Sequence, residues 1–456
     1  MNTITIQDNN SISITNEQKE LIEQTIASKS VNELIKKNSS LLVFPDSFGK
    51  EIKDKKILTL IKENGTEKLK AHNIAGFIGI EKDGKSVSIS ITSRFDHSDK
   101  QYFLQYMLSK VFSIYLFDLP TGAEKESIWE FLLYSIFLGL LKKALAKGIY
   151  KEYVIKRYND ARVRGVIDIN RFIKQDIPFL GKIAYNVREH SFDNRITQLI
   201  RHTIEHITST EFFNLLRRDH ESVKAINLIR EITPGYSVRE RQELIRQNRK
   251  PVIHPYYTDY EDLRKICLQI LSYQGLGYEQ KKDLKVYGIL FDVAWLWEEY
   301  INTLLQPLGF EHPKNIEKIG RQYLFNKINK AYPETYAHIY PDFYYKQNDK
   351  SFVLDTKYKR LNSDKISKDD LYQIITYMYI FKASKGVFVY PKEGTGGYEY
   401  IGKLNGYGGE VGKYGFYTPK YQTDTTFGGF SEKMQKSEDG FKNDIKNLLA
   451  GDKQSK

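Results

Sequence analysis

Residues 340–360 read YPDFYYKQNDKSFVLDTKYKR, and after a polar connector residues 368–382 read KDDLYQIITYMYIFK. Asp342, Asp355 and Lys357 have the types and spacing to hold a divalent cation against a phosphate. Residues 338–346 and 351–359 are strand-like runs, separated by a polar turn whose central Asn348 and Asp349 tolerate the positive φ of a tight hairpin. With those two as the loop, Asp342 faces Asp355. Carboxylates directly opposite on a hairpin lie roughly 4.5–5.5 Å apart at Cβ and repel, which calls for a positive charge between them. Magnesium suits this pair, because it takes oxygen ligands, usually one or two carboxylates with water and substrate phosphate. Lys357 follows Asp355 by two residues and leaves the same sheet face, where an ammonium orients a water and offsets charge on a phosphorane-like transition state.

Two helices are expected to position this hairpin. Residues 291–305, FDVAWLWEEYINTLL, carry an apolar stripe of Val293, Leu296, Trp297 and Tyr300, which brings Glu298 or Glu299 near the packed face. In the later helix, Ser367 is the N-cap with Asp370 three residues on, and Gln373 and Tyr377 share a face as i and i+4.

Pro341-Asp342, Asp355-Thr356-Lys357, Gln373-x-x-x-Tyr377 and the upstream Glu298 together resemble the PD-(D/E)xK nuclease fold in its RecB-like form. More narrowly, WLWEEYI at 295–301, VRGVIDI at 163–169 and FDNRI at 192–196, in this order, resemble the McrC nuclease subunits of McrBC-type methylcytosine-dependent restriction systems. The resemblance covers most of 76–391. It implies a metal-dependent endodeoxyribonuclease serving phage defence. Asp342 and Asp355 would bind one or two Mg²⁺ ions, the carbonyl of Thr356 would add a ligand, and Glu298 would assist the metal or its water. Lys357 would position the nucleophile, Gln373 and Tyr377 would brace the site and contact DNA, and Lys359 and Arg360 would grip phosphate. The implied partners are double-stranded, methylated DNA and a separate McrB-like AAA+ GTPase hexamer engaged through the N-terminal region. A stand-alone RecB-like repair nuclease and a noncatalytic DNA-binding or motor-activating subunit are the alternatives.

The bulk sequence agrees with a polyanionic partner: 69 Lys and Arg against 57 Asp and Glu give a net charge of +12 over 456 residues. One cysteine, Cys267, excludes an internal disulfide framework and a cysteine-based metal cluster, and points to a reducing cytoplasm. No run reaches the roughly 18 apolar residues of a membrane span. The N-terminal residues lack the pattern of a secretory signal.

Two motifs lead elsewhere and are set aside. Residues 79–86, GIEKDGKS, fit the phosphate-loop pattern, but an alternating strand follows where a helix N-terminus is required, so a β-hairpin is expected and no nucleotide is bound by this chain. His202, Glu205 and His206 fit the inverted zinc-protease pattern, yet no third ligand is identifiable, so surface or satisfied histidines are expected. Ser237 and Glu240 read as a capping box opening a helix whose one face carries Arg239, Gln242, Arg246 and Arg249, a row able to follow a DNA backbone or to serve as a solvated face. Residues 153–169 read as a strand and 192–218 as one helix.

The expected architecture is α+β and multidomain. A β-containing N-terminal region (1–120) meets the motor, a mainly helical middle region (121–286) links it, and a PD-(D/E)xK mixed sheet flanked by helices follows (287–430). The glycine- and tyrosine-rich stretch 394–429 is expected as a flexible β-rich edge, and the polar tail 431–456 as half ordered with one short helix near 441–450.

Overall fold

A computed structural model describes residues 2–27, 29–38, 41–44, 56–63, 65–96, 101–112, 125–210, 212–275, 285–313, 322–325, 329, 338–347, 350–361, 366–406, 408–420 and 426–450. The Asn348-Asp349 turn lies outside them. The chain forms two compact units, one of residues 1–129 and 280–456, the other of residues 130–279.

In the first unit a five-stranded sheet has the order Asn2–Gln7, Lys85–Thr92, Ile74–Lys82, Lys285–Asp292, Leu41–Phe44. The GIEKDGKS segment is the expected hairpin, closed by Asp83 (φ 50°) and Gly84 (φ 78°), the paired positive φ of a type I′ turn. The strand Lys285–Asp292 pairs with both Ile74–Lys82 and Leu41–Phe44. Gly76 and Gly288 make this possible: a Cβ on Gly288 would lie 2.0 Å from the Phe77 carbonyl oxygen, and one on Gly76 would lie 2.1 Å from that of Ile289. The boundary expected at 286/287 is therefore corrected, because it cuts a strand shared with the N-terminal sheet. That strand runs straight into the helix Val293–Leu305, capped by Asp292, whose carboxylate accepts the Ala294 and Trp295 amides.

The second large sheet has the order Phe343–Gln347, Lys350–Thr356, Lys385–Glu393, Gly409–Thr418, Gly397–Leu404, and is mixed: the first and last pairs are antiparallel and the inner two parallel. The stretch expected as a flexible edge thus supplies two ordered strands, one of them internal. Glycine serves close packing there, since the Tyr398 ring occupies the space a Cβ on Gly412 would need. The expected short tail helix is instead Phe427–Ala450, burying Phe427, Phe430, Met434, Glu438, Phe441 and Ile445. These residues form one helical stripe, which the polar composition conceals.

The second unit is mainly helical, with a three-stranded sheet ordered Glu152–Asp160, Ile183–Ser191, Val166–Ile167. Several sequence expectations are corrected. The single strand expected over 153–169 breaks after Asp160, and the single helix expected over 192–218 divides into Arg195–Thr208 and Phe213–Arg218. Ser237 makes no side-chain cap; a 3-10 turn, Val238–Glu240, precedes a short helix, Arg241–Gln247. Asn248 ends that helix, its buried amide donating to the carbonyls of Leu244 and Arg195 at 2.9 Å. Arg239 and Arg249 consequently fall outside it, and Arg246 pairs with Glu243 at 2.7 Å, so the single-faced arginine row does not form.

His202 and His206 are buried rather than at the surface, and neither ring nitrogen of His202 is hydrogen-bonded. Burial, then the charges of Arg241 and Arg201, push the His202 pKa down to about 4. Glu205 turns away to Arg201 (2.9 Å) and Arg230 (3.0 Å). Among the described residues no helix is long and apolar enough to cross a membrane.

Candidate active site

The hairpin has the expected register, with pairs running from Gln347–Lys350 to Phe343–Leu354. One step further along it stand Asp342 and Asp355. Thr356 fixes the first: its backbone N–H and its hydroxyl both donate to Asp342 Oδ2 at 2.7 Å. Asp355 is 1% exposed, and its side chain meets Lys357 Nζ at 2.6 Å from Oδ2. No hydrogen bond to either carboxylate oxygen completes that ion pair. Burial, then the neighbouring Asp342 charge, pushes the Asp355 pKa up to about 7 against the pull of Lys357.

Lys357 leaves the strand end beside Asp355, its backbone N–H still donating to the Val389 carbonyl at 2.9 Å. Its ammonium donates to Gln373 Oε1 at 3.0 Å and lies 3.5 Å from Asp370. Gln373 Nε2 donates to the Tyr377 hydroxyl at 2.8 Å, and that hydroxyl donates to the Tyr340 carbonyl at 3.1 Å. A continuous polar chain therefore joins the ammonium to the backbone two residues before Asp342. The helix carrying it, Lys368–Phe381, begins at the expected cap, Ser367 Oγ accepting the Asp370 amide at 3.1 Å. Burial lowers the Lys357 pKa, but Asp355, Asp342 and Asp370 outweigh it, so the net shift is upward and the lysine stays charged.

The upstream helix Val293–Leu305 docks through Trp297, fully buried, whose indole N–H donates to the Val389 carbonyl at 3.4 Å. This seats Glu298, next in sequence, within electrostatic reach of both aspartates: burial, then Asp342, Glu299 and Asp355, hold its pKa well above the usual carboxylate range. His312 is a site residue that the sequence reading missed. It lies 3.7 Å from Glu298 and 3.6 Å from Glu299, stacks on Phe343 at 4.8 Å, and is 2.7 Å from the Asp342 carbonyl oxygen, to which a protonated Nδ1 donates. No motif marks it, because its loop, some thirty residues upstream, is joined to the hairpin through tertiary contacts that include the Glu311–Tyr344 bridge.

Lys359 and Arg360 lie nearby but are engaged: Lys359 pairs with Asp370, and Arg360 lies 3.3 Å from Glu393. Arg239, Arg246 and Arg249 belong to the other unit. Among the described residues no three His, Cys, Asp or Glu side chains converge closely enough to chelate an ion alone. Two carboxylates completed by a carbonyl and water are nonetheless an ordinary magnesium donor set, and the incompletely bonded, buried Asp355 oxygens fit a cation.

Residues 69–391, more than half the chain, match the family described as McrBC 5-methylcytosine restriction system component. The fold is similar to a chain in the refined half-complex from the tetradecameric assembly of Thermococcus gammatolerans McrB AAA+ hexamers with bound McrC. The TM-score is 0.52 at 18% identity, covering 98% of this chain and 100% of that one. A cryo-EM structure of the Thermococcus gammatolerans McrBC complex is matched at TM-score 0.32 and 16% identity, over 67% of this chain and 87% of that one. No curated protein matches. The chain belongs to the McrBC 5-methylcytosine restriction system component family, and its fold is McrC-like.

Proposed function

We propose that this chain is the metal-dependent endodeoxyribonuclease subunit of a McrBC-type restriction system. It works with a separate McrB-like AAA+ GTPase hexamer that recognises modified, double-stranded DNA. The observation that carries the reading is Asp355: a buried carboxylate beside Asp342, ion-paired with Lys357 and otherwise left unbonded. A purely structural carboxylate at that depth is normally fully satisfied.

Asp342, Asp355 and the Thr356 carbonyl would hold Mg²⁺, with Glu298 assisting. When bound, the ion supplies Lewis-acid stabilisation of phosphate charge and a water of lowered pKa. Lys357 directs its ammonium at the attacking water and offsets charge on the phosphate oxygens. The Gln373–Tyr377 chain holds that ammonium in place before the substrate arrives. Thr356 fixes the orientation of Asp342, leaving its second oxygen outside those two bonds. Lys359 and Arg360 exchange their carboxylate partners for flanking phosphates.

The test is cleavage of methylated and unmethylated plasmid with Mg²⁺ by the wild type and Asp355→Ala, each with and without the motor protein. Cutting of methylated plasmid that needs the motor and is lost in Asp355→Ala supports the reading. Cutting without a motor favours a stand-alone nuclease, and cutting that survives the substitution refutes the site.

A further inference from the structure

Asp355, Phe388, Lys413 and Glu399 are successive register partners across four strands of the mixed sheet, so their side chains leave the same face. At the Lys413 end of this row opens a cleft of about 460 Å³, lined among others by Phe95, Arg360, Tyr390, Lys392, Glu399 and Lys413. Lys413 is 3% exposed, and its ion-pair partner, Glu399 at 3.0 Å, is 52% exposed on the edge strand. A buried ammonium facing a solvated carboxylate is poorly compensated, since water weakens the attraction while burial has already removed the ammonium from its hydration shell. With Glu393 included, three cations stand against two carboxylates in the lining, leaving a net positive charge near the carboxyl cluster of Asp342, Asp355 and Glu298.

We propose that this cleft is a phosphate subsite for the DNA strand being cut, in which Lys413 and Arg360 hold a backbone phosphate close to the scissile one. The proposal rests on the nuclease reading above. Two strand spacings of about 4.8 Å separate Asp355 from Lys413, which gives about 10 Å, or about three nucleotides at an axial rise of 3.4 Å. Glu399 and Glu393 are the counter-ions of the free site: a phosphate displaces them to solvent and takes both cations. The aromatic walls Phe95 and Tyr390 confine the phosphate, and the Phe95 ring, 5.8 Å from the Arg360 guanidinium, helps keep that cation at the cleft.

The test compares the full-length wild type, Lys413→Met, Arg360→Gln and Glu399→Gln in binding short duplexes, each with one phosphate neutralised as a methylphosphonate. Fluorescence anisotropy is read over a range of salt, with Ca²⁺ replacing Mg²⁺ to suppress cutting. Lys413→Met and Arg360→Gln are expected to weaken binding about tenfold and to lower the salt slope by about one, the effect of one lost phosphate contact. Neutralising one phosphate within about three nucleotides of the cut should weaken the wild type but not Lys413→Met, and Glu399→Gln should bind more tightly. Wild-type affinity and salt slope in both cation variants would overturn the subsite. If Asp355-dependent cleavage persists alongside that result, the nuclease reading stands, whereas a wild type that neither binds nor cuts DNA with the motor present removes both. Arg360 is exposed, so Arg360→Gln carries the test if Lys413→Met proves unfolded by circular dichroism.

Discussion

Tyr377→Phe separates two roles for the QxxxY pair that a sequence cannot distinguish. The Tyr377 ring is 6% exposed, while its hydroxyl joins Gln373 to the Tyr340 carbonyl at 2.8 and 3.1 Å. Losing the hydroxyl removes two neutral hydrogen bonds, each of about 0.5–1.5 kcal/mol net, but Gln373 is exposed and recovers water, so the stability loss should stay near 1 kcal/mol. The kinetic effect should be larger. Lys357 Nζ has Asp355 at 2.6 Å, Gln373 at 3.0 Å and Asp370 at 3.5 Å, and a loosened Gln373 leaves only the two carboxylates to draw it off the attacking water. A misplacement on the order of 1 Å costs up to about 100-fold, so kcat should fall about 10- to 100-fold, or about 1.4–2.7 kcal/mol. Gln373→Ala should behave alike. Single-turnover cleavage with the motor present, alongside DNA affinity, provides the assay. A rise in Kd with kcat unchanged would refute the bracing argument and make the pair a DNA contact.

Three further perturbations have defined signs. The Asp355 carboxyl is held up to about 7 against an ordinary 3.8, so without metal the folded state binds its proton more tightly than the unfolded one. Stability therefore falls as pH rises from about 4 through 7, by at most about 4 kcal/mol; Asp355→Asn should remove that slope and melt higher than wild type in EDTA at pH 8. His202 has the opposite sense. Its folded pKa is depressed to about 4, so its contribution is complete above the unfolded value of 6.5 and is lost as pH falls toward 4, by about 3 kcal/mol. His202→Gln should flatten the acid limb of the 130–279 unit in circular dichroism. Gly288→Ala would place a Cβ 2.0 Å from the Phe77 carbonyl at a backbone φ of +152°, and should cost on the order of 3 kcal/mol in thermal unfolding through strain and a disrupted strand pair.

The hairpin register, the Ser367 cap and the packed face of the Glu298 helix were legible in sequence because each rests on local periodicity. Every pair from Gln347–Lys350 to Phe343–Leu354 stands in the register that the sequence predicts. What sequence hid was set by distant partners. His312 reaches the Asp342 carbonyl across about thirty residues, and nothing in its own neighbourhood announces that bond. Residues 285–292 adjoin the nuclease segment in sequence, yet they pair with strands near residues 41 and 78, since Gly76 and Gly288 admit so close an approach. The tail misled for a different reason: its buried stripe, from Phe427 to Ile445, lies on a 24-residue helix and is diluted by lysine, aspartate and serine, so composition outweighed period. At Ser237 the structure has a 3-10 turn, Val238–Glu240, where the helix was expected to begin, and the helix that follows is cut short at its other end by Asn248, whose amide is bonded to the Arg195 and Leu244 carbonyls.

Two buried carboxylates in the first unit show why burial alone does not mark a site. Glu438 and Asp355 are each 1% exposed. Glu438 accepts from the Tyr106 hydroxyl at 2.8 Å, the Tyr300 hydroxyl at 3.0 Å and Lys110 at 3.1 Å, so its charge is neutralised and its oxygens are occupied. Such a group pins the C-terminal helix to two others and has little capacity left for a ligand. Asp355 has a single cation for a partner and a second carboxylate close enough to oppose its ionisation. Folding around such an arrangement is unfavourable unless a further positive charge arrives, and the cost is a measure of how strongly the site is prepared to take one. The distinction between the two carboxylates lies in what each still lacks: the Glu438 oxygens are occupied by two hydroxyls and an ammonium, whereas those of Asp355 meet Lys357 with no hydrogen bond completed.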